Sequence, residues 1–358
     1  MADSSARVVV GLDVGGTSCN TTVLTTSGVF LVDELLEVPS RVNEGPTVTI
    51  EVLAAAFHDA LARAAVPADA VVAVGLDTPG PASAAGVLSS TGATNFAHPD
   101  WHGYDFRGAL QRRLGLPVSY LNDANAAALY AHQVHFGALA GQRSSVAAIV
   151  GTGLGGGVIS AGRVLTGATG QAGELGHVYI PMAGLLEPDQ PVPQCNCGLT
   201  GDAESVASLI GITRNLLPYW LRRQPDHPLA QVGPLAEAAR QVRAYGERGD
   251  PLALRIFQQQ AIALGRLFTI AANVTDPHVY FVGGGVVEAA PHFTEWFLAT
   301  VREHTVLRAE QRAVAELALV PDRDMAGARG AALAALDLAT GGQLARPGTP
   351  VAVEVTDG

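Results

Sequence analysis

A strand that runs into a glycine-rich turn and returns as a second strand occurs twice in this sequence, which restricts the possible folds. The first copy is RVVVGLDVGGTSCNTTVLTTSGVFLVDELLEV at 7–38, and the second is SSVAAIVGTGLGGGVISAGRVLTG at 144–167. Apolar and β-branched residues flank the glycines in both copies, as in a β-meander. Segments with helical apolar spacing follow each copy. The sequence therefore predicts an internally duplicated α/β fold with two lobes.

The composition excludes several classes of protein. The 358 residues carry 22 Lys plus Arg and 33 Asp plus Glu, for a net charge of −11, which disfavours binding to nucleic acid or to an anionic membrane. Three cysteines are too few for a disulfide framework and favour a reducing compartment. We find no signal-peptide pattern and no apolar run near the ~20 residues of a membrane helix. We therefore expect a soluble, cytoplasmic, globular protein.

Glycine turns at strand ends are typical of nucleotide sites, because backbone N–H groups approach phosphate closely only where no Cβ intervenes. DVGGT at 13–17 adds a carboxylate that suits Mg²⁺ and a hydroxyl that suits phosphate. A plain hairpin turn is the alternative for DVGGT and for GTGLGGG at 151–157, and a tight αβ crossing is the alternative for VGGG at 282–285. Neither a Walker loop nor a Gly-x-Gly-x-x-Gly that opens a helix is present. The predicted ATP and Mg²⁺ residues are Asp13, Gly15, Gly16, Thr17, Gly151, Thr152, Gly153, Gly283 and Gly284.

Five motifs, whose order along the chain is that of the family, resemble those of the ROK group of sugar kinases, within the actin-like ATPase superfamily that includes hexokinase. VVGLDVGGTS is similar to the first phosphate loop, and VGTGLGGGVISAGRVLTGATGQAGELGH to the family signature that ends in Gly-Glu-x-Gly-His. LNDANAAAL, CNCGLTGDAES and DPHVYFVGGGV resemble the catalytic, cysteine and nucleotide-side segments. The resemblance covers roughly residues 7–335. It implies an actin-like ATPase (ribonuclease H-like) fold with a central cleft, the cofactors ATP and Mg²⁺, and a homodimer or homotetramer.

The resemblance also implies phosphoryl transfer from ATP to a sugar hydroxyl, with Asp123 as the base that takes the hydroxyl proton. An aspartate where a strand becomes a helix equally suits a helix cap. The structural alternatives are a surface acid for Glu174, a hydrogen-bonded histidine for His177 and a favourable first-turn helix charge for Glu204. The sugar-binding residues implied by the resemblance are Asn95, Asn122, Asp123, Glu174, His177 and Glu204.

The cysteine segment leaves a metal question open. In the family, two cysteines of a Cys-x-Cys pair, a third cysteine and the histidine of Gly-Glu-x-Gly-His bind a structural zinc. This chain has Asp202 where the third cysteine is expected. Asp202 either completes a zinc shell or caps a helix that starts at Ala203 beside an empty site. The candidate zinc ligands are His177, Cys195, Cys197 and Asp202.

The motif positions predict how the chain divides. We expect an N-terminal lobe of residues 1–121, against which a helix at 326–340 packs, and a C-terminal lobe of residues 122–325 that carries the sugar and zinc loops. Closure of the lobes around the sugar would exclude water from the phosphoryl group. The tail at 341–358 receives no predicted role.

The leading hypothesis is an ATP-dependent hexose kinase with glucose O6 as the default acceptor. Fructose, mannose, allose, N-acetylglucosamine and N-acetylmannosamine stay open. Ser18 stands where family members often have lysine, so the phosphoryl donor is also open. One alternative is a catalytically silent, sugar-binding member of the family. A ROK transcriptional repressor is disfavoured, because the first strand begins near residue 7 and leaves no room for a winged-helix domain before it.

Overall fold

The structure, a computed structural model, describes residues 7–80, 82–89, 96–322 and 324–342. The chain separates into two compact units. The first contains the chain up to Ser145, the segment Gly157–Gly173 and the chain from Val320 onwards. The second contains Val146–Gly156 and Glu174–Leu319.

The strands of the described residues form two five-stranded sheets with the same internal order. The first sheet runs β3-β2-β1-β4-β5, and the second runs β8-β7-β6-β9-β10 when read in the same sense. In the first sheet β3 pairs antiparallel with β2, and β4 and β5 are parallel. In the second sheet β8 pairs antiparallel with β7, and β9 and β10 are parallel. The predicted duplication and fold class are therefore confirmed. The strands are β1 (Val8–Val14), β2 (Ser18–Thr25), β3 (Leu36–Pro39), β4 (Val71–Thr78), β5 (Val118–Asn122), β6 (Ser145–Val150), β7 (Leu154–Ser160), β8 (Arg163–Val164), β9 (Val279–Gly283) and β10 (Glu316–Leu319).

Helices follow the strands at places that the sequence marks with caps. Asp250 caps the longest described helix by accepting a hydrogen bond from the Ala253 N–H, and proline occupies its first position. No described helix has both the length and the apolar character of a membrane span. The helices are α1 (Pro46–Arg63), α2 (Phe106–Leu114), α3 (Asp123–Phe136), α4 (Leu209–Gly211), α5 (Leu217–Arg223), α6 (Leu235–Glu247), α7 (Pro251–Thr275), α8 (Pro291–His304), α9 (Ala309–Arg312) and α10 (Ala326–Ala339).

The C-terminal helix α10 packs on the first sheet at glycines. Gly11 of β1 and Gly75 of β4 are register partners, and a Cβ on either would overlap the backbone of α10. A Cβ on Gly330 of α10 would likewise overlap the Ala126 carbonyl of α3. These contacts bring α10 nearer to its neighbours than side chains would permit. They explain why α3 belongs to the first unit, although the sequence analysis assigns residues 122–145 to the second lobe.

A partly buried ion pair adds a second attachment of α10 within the first unit. The Arg329 guanidinium pairs with Asp322 and donates a hydrogen bond to the Tyr130 hydroxyl at 2.8 Å. It also lies 4.9 Å from the centre of the Phe30 ring, a cation–π distance. One side chain thus connects α10 with α3 and with the segment that follows β2.

We expect Gly75→Ala to lower the free energy of unfolding by about 3 kcal/mol, because the added methyl group forces the α10 backbone away from β4. Chemical denaturation monitored by circular dichroism measures the change. Gly233→Ala is the matched control: a Cβ there meets no atom within 4 Å, and we expect a change below about 0.5 kcal/mol. Equal effects of the two substitutions would contradict the packing argument.

Candidate functional site

A row of polar side chains crosses the first sheet close to the first glycine turn. Asp13 of β1 is in register with Asn20 of β2 on one side and with Asp77 of β4 on the other. Asn20 donates a hydrogen bond from Nδ2 to Asp13 Oδ2 at 3.4 Å. Side chains in register on neighbouring strands lie on the same face of a sheet. The sheet therefore holds two carboxyl groups and one amide together.

This row has acceptor oxygens without donors. Asp77 is completely buried against the Asp13 carboxyl, its hydrogen-bond partner, and among the described residues no N–H or alcohol hydroxyl donates to its oxygens or to Oδ1 of Asn20. Burial raises the pKa of Asp13, and burial together with the negative charge of Asp13 raises the pKa of Asp77. An oxygen-only set of this kind suits a hard cation such as Mg²⁺. The residues present therefore fit the magnesium that the sequence analysis places at Asp13.

The glycines predicted to face phosphate divide into two kinds. A Cβ at Gly15 would meet only the Ser18 carbonyl oxygen, at 3.3 Å, and a Cβ at Gly151 would meet nothing within 4 Å. Packing does not require glycine at Gly151, and at Gly15 it is restricted only by this one carbonyl oxygen. A Cβ at Gly153 would lie 2.5 Å from Glu204 Oε2, and Gly284 has a φ of 82° and lies against the Val150 carbonyl. Packing or backbone conformation explains glycine at these latter positions.

Asp123 lies at the start of α3, directly after β5. The residue that caps α3 is Asn122, whose Oδ1 accepts a hydrogen bond from the Ala124 N–H at 3.0 Å. Asp123 also approaches that N–H, at 2.7 Å through Oδ1. Its negative charge contributes to the raised pKa of Asp77. The structure thus gives the capping position to Asn122 and leaves Asp123 as a half-buried carboxyl near the acidic row of the same unit.

In the second unit, backbone pairing brings the two sequence motifs together. Ile180 and Ala203 donate hydrogen bonds to the carbonyls of Gly201 and Val178, at 3.2 and 3.0 Å, and Tyr179 bridges to Asp202. The Glu204 N–H donates to the Gly176 carbonyl at 2.8 Å. Residues 176–180 and 201–204 therefore run side by side. This pairing places His177 of the signature beside Asp202 of the cysteine segment.

Four side chains then converge within this unit. One ligand atom from each of them lies within 4.8 Å of the others. His177 Nδ1 is 3.3 Å from Asp202 Oδ2 and 3.9 Å from Cys195 Sγ, and Cys197 Sγ is 3.8 Å from Asp202 Oδ2. Zn–N bonds of about 2.0 Å and Zn–S bonds of about 2.3 Å place tetrahedral ligand atoms about 3.3–3.8 Å apart. The donor types therefore fit zinc, and the ligand atoms, which lie within 4.8 Å of one another, would move slightly closer together around the ion.

Asp202 uses its two oxygens differently. Oδ1 accepts a hydrogen bond from the Ser205 N–H at 2.9 Å, whereas Oδ2 faces His177 and Cys197. The hydrogen bond to Asp202 raises the pKa of His177 to about 9. One oxygen of Asp202 thus stabilises the local backbone, and the other faces the cluster.

The predicted helix that starts at Ala203 is wrong at its beginning. The N–H groups of Ala203 and Glu204 donate to Val178 and Gly176, and α4 begins only at Leu209, where Ser208 accepts a hydrogen bond from the Gly211 N–H. Asp202 therefore stabilises a turn. Glu204 does not lie in a first helical turn, so its structural alternative is also wrong.

Glu204 connects the cysteine loop to the second glycine turn. Its Oε2 accepts a hydrogen bond from the Leu154 N–H at 2.8 Å, and its Oε1 accepts one from the Cys195 thiol at 3.3 Å. Glu174 is more than half buried, and this burial raises its pKa. The charge of His177 lowers the pKa of Glu174, and the negative charge of Glu204 raises it. Carboxyl groups of both residues thus lie near His177.

The structure places the predicted site residues in two groups, one in each unit. The first unit holds Asp13, Asn122 and Asp123 with the first glycine turn, and the second unit holds the carboxylates, His177 and the cysteines. Asn95 lies outside the described residues. Sequence reasoning missed Asp77 and Asn20. Asp77 ends a buried strand in GLDTPG at 75–80, just as Asp13 does in GLDVGG at 11–16, and this similarity was a usable signal.

Comparison with known proteins gives consistent matches over most of the chain. A model of the ROK family matches residues 9–337. The glucokinase of Halalkalibacterium halodurans is 31% identical over 306 residues, which are 84% of this chain and 86% of that protein. The ROK hexokinase of Thermus thermophilus has a TM-score of 0.72 at 32% identity, over 94% of this chain and 100% of that one. The ROK glucokinase of Streptomyces griseus in complex with glucose and AMPPNP has a TM-score of 0.67 at 27% identity, over 92% and 99%.

We expect Asp202→Asn to weaken zinc binding at least tenfold while the protein stays folded. The amide oxygen preserves the hydrogen bond from Ser205, but the neutral group is a poorer zinc ligand than a carboxylate. Competition with a coloured chelator measures the zinc affinity. Asp202→Ala is the comparison variant and should also lower the melting temperature, because it removes both oxygens. Equal zinc affinity of Asp202→Asn and wild type would exclude Asp202 as a ligand.

Proposed function

We propose, from the premise that this chain belongs to the ROK family, that it is an ATP-dependent sugar kinase of the actin-like ATPase fold. Its acceptor would be a hexose hydroxyl, with glucose O6 as the default. The observation that carries this proposal is the acidic row of the first sheet, which lies beside a glycine turn and near Asp123. Similarity to a glucokinase and to ROK hexokinase structures supports the same activity.

Asp123 would act as the general base. A general base must lie within hydrogen-bond reach of the hydroxyl whose proton it takes. Asp123 is fixed at the first position of α3, where its Oδ1 accepts a hydrogen bond from the Ala124 N–H, which Asn122 Oδ1 also approaches. Its other oxygen, Oδ2, would face the sugar hydroxyl. Its carboxylate would orient the sugar hydroxyl and accept its proton during attack on the γ-phosphoryl group.

The acidic row would bind the magnesium that accompanies ATP. Bound Mg²⁺ neutralises negative charge on the phosphates during phosphoryl transfer. Asp13 would hold the ion or its water shell, with Asp77 behind it and Asn20 fixing the Asp13 carboxylate. Gly15 and Gly151 donate their own N–H groups to the Ser18 and Gly153 carbonyls, at 2.8 and 2.9 Å. The neighbouring backbone N–H groups of Gly16 and Thr152 would therefore face phosphate oxygens.

The second unit would recognise sugar hydroxyls. His177 directs Nδ1 towards Asp202 and Cys195, so its Nε2, on the opposite edge of the ring, would bind a sugar hydroxyl. Glu174 and Glu204 would accept hydrogen bonds from further hydroxyls, as the family resemblance implies. Zinc held by the four-residue cluster would brace this wall and take no part in phosphoryl transfer.

Several finer assignments rest on the family resemblance alone. The identity of the sugar depends on single hydroxyl or acetamido contacts, and Ser18 leaves the choice of phosphoryl donor open. A homodimer or homotetramer and a cytoplasmic location stay predictions. The main alternative is a silent, sugar-binding family member. Asp123 together with the acidic row disfavours this alternative, because sugar binding alone needs neither a base nor a magnesium site.

We expect Asp123→Asn to lower kcat on the order of a thousandfold, because a general base contributes about 10²–10⁴-fold to the rate. A coupled assay of ADP release over a panel of hexoses, with ATP and Mg²⁺, measures the loss and identifies the preferred sugar. Asp69→Asn is the matched control, since Asp69 is an exposed aspartate of the same unit.

Two outcomes of this assay would contradict the proposal. Wild-type protein that phosphorylates no sugar of the panel would exclude the kinase assignment for these sugars and favour the silent alternative. Unchanged kcat in Asp123→Asn would exclude Asp123 as the base while the kinase assignment stands.

A further inference from the structure

A π-helical turn, Ile212–Leu216, joins α4 to α5. Turns of this type are rare and frequent at functional sites. Asn215 lies in this turn and directs its side-chain amide towards the cysteine loop. The π-helical turn thus places the Asn215 amide against the cysteine loop.

The Asn215 amide makes three hydrogen bonds, all to backbone. Its Oδ1 accepts from the Gln194 N–H at 3.2 Å, and its Nδ2 donates to the carbonyls of Gln194 at 3.0 Å and Ser205 at 2.8 Å. Gln194 directly precedes Cys195, and Ser205 directly follows Glu204. One side chain therefore joins the two ends of the loop that carries the metal and sugar side chains.

The connection continues from Ser205 to a candidate metal ligand. The Ser205 N–H donates to Asp202 Oδ1, and the Ser205 hydroxyl donates to the Asp202 carbonyl at 2.6 Å. Asn215 thus fixes Ser205, and Ser205 fixes the carboxylate whose other oxygen faces His177. Only an amide side chain of this length offers an acceptor and two donors at once.

We infer that Asn215 is a positioning residue, which holds Cys195 and Asp202 at zinc-binding distance and holds Glu204 in its sugar-binding orientation. The sugar half of this inference rests on the proposed function; the metal half does not. Residues that orient metal ligands from outside the ligand shell typically contribute about 10–100-fold to metal affinity or activity. Asn215 orients the candidate ligands Cys195 and Asp202 from outside the ligand shell, through its hydrogen bonds to the backbone of Gln194 and Ser205.

The test compares Asn215→Ala and Asn215→Asp with wild type. Asp keeps the size and the acceptor of Asn but offers no donor to the carbonyls of Gln194 and Ser205. Asn273→Ala is the matched control, because Asn273 is an asparagine on the surface of α7 whose Nδ2 donates only within its own helix, to Thr269. Melting temperatures establish which variants are folded.

The metal readouts are zinc affinity, by competition with a chelator, and the visible absorption of bound Co²⁺, which reports tetrahedral thiolate coordination. We expect both Asn215 variants to bind zinc about tenfold or more weakly and to show an altered Co²⁺ spectrum. The kinetic readout is the KM for the preferred sugar, which should rise about tenfold while kcat and the KM for ATP stay within about twofold.

Folded Asn215 variants with wild-type zinc affinity, Co²⁺ spectrum and sugar KM would overturn the inference. Wild-type protein that takes up neither zinc nor Co²⁺ would overturn its metal half. Wild-type protein that is inactive on every sugar would contradict the proposed function, and the metal readouts would still decide the positioning role. If Asn215→Ala does not fold, Asn215→Asp decides, since it preserves the side-chain volume.

Discussion

The close approach of α10 to the first sheet is the contact on which the candidate catalytic residues depend. Gly11 and Gly75 permit the backbone of α10 to lie directly on β1 and β4, and a Cβ at Gly327 would meet Asp13 Oδ2 at 2.6 Å. The start of α10 therefore covers the same strand ends that carry the acidic row. Asp77, in register with Asp13 on β4, is completely buried, and this burial together with the Asp13 charge raises its carboxyl pKa.

Much of the fold follows from sequence because its signals are local. Glycines between apolar strands predict both hairpins, and Asn122-Asp123 marks the change from β5 to α3. The features that sequence does not reveal depend on contacts between distant segments. Backbone pairing of residues 201–204 with residues 176–180 prevents a helix from starting at Ala203, and the contact of Gly330 with Ala126 packs α3 against α10 in the first unit.

The same distinction applies to the candidate site. The sequence motif predicts the ligand types of the cysteine cluster. Only the structure shows that one Asp202 oxygen accepts from the Ser205 N–H and that the other faces His177. Asn215 carries no motif at all, because its partners are backbone groups that any residue supplies. A residue that acts through backbone contacts leaves no trace in the sequence of its partners.

The place of α10 in the chain also has a consequence for biosynthesis. β1 and β4 are made before the helix that covers them, Ala326–Ala339, which emerges from the ribosome only after the strands of both sheets. Until then the glycine-lined face of the first sheet stays exposed to water, and its strands lack their longest-range contacts. We therefore expect the N-terminal part of the nascent chain to depend on chaperones, and C-terminal truncations that remove α10 to yield insoluble protein.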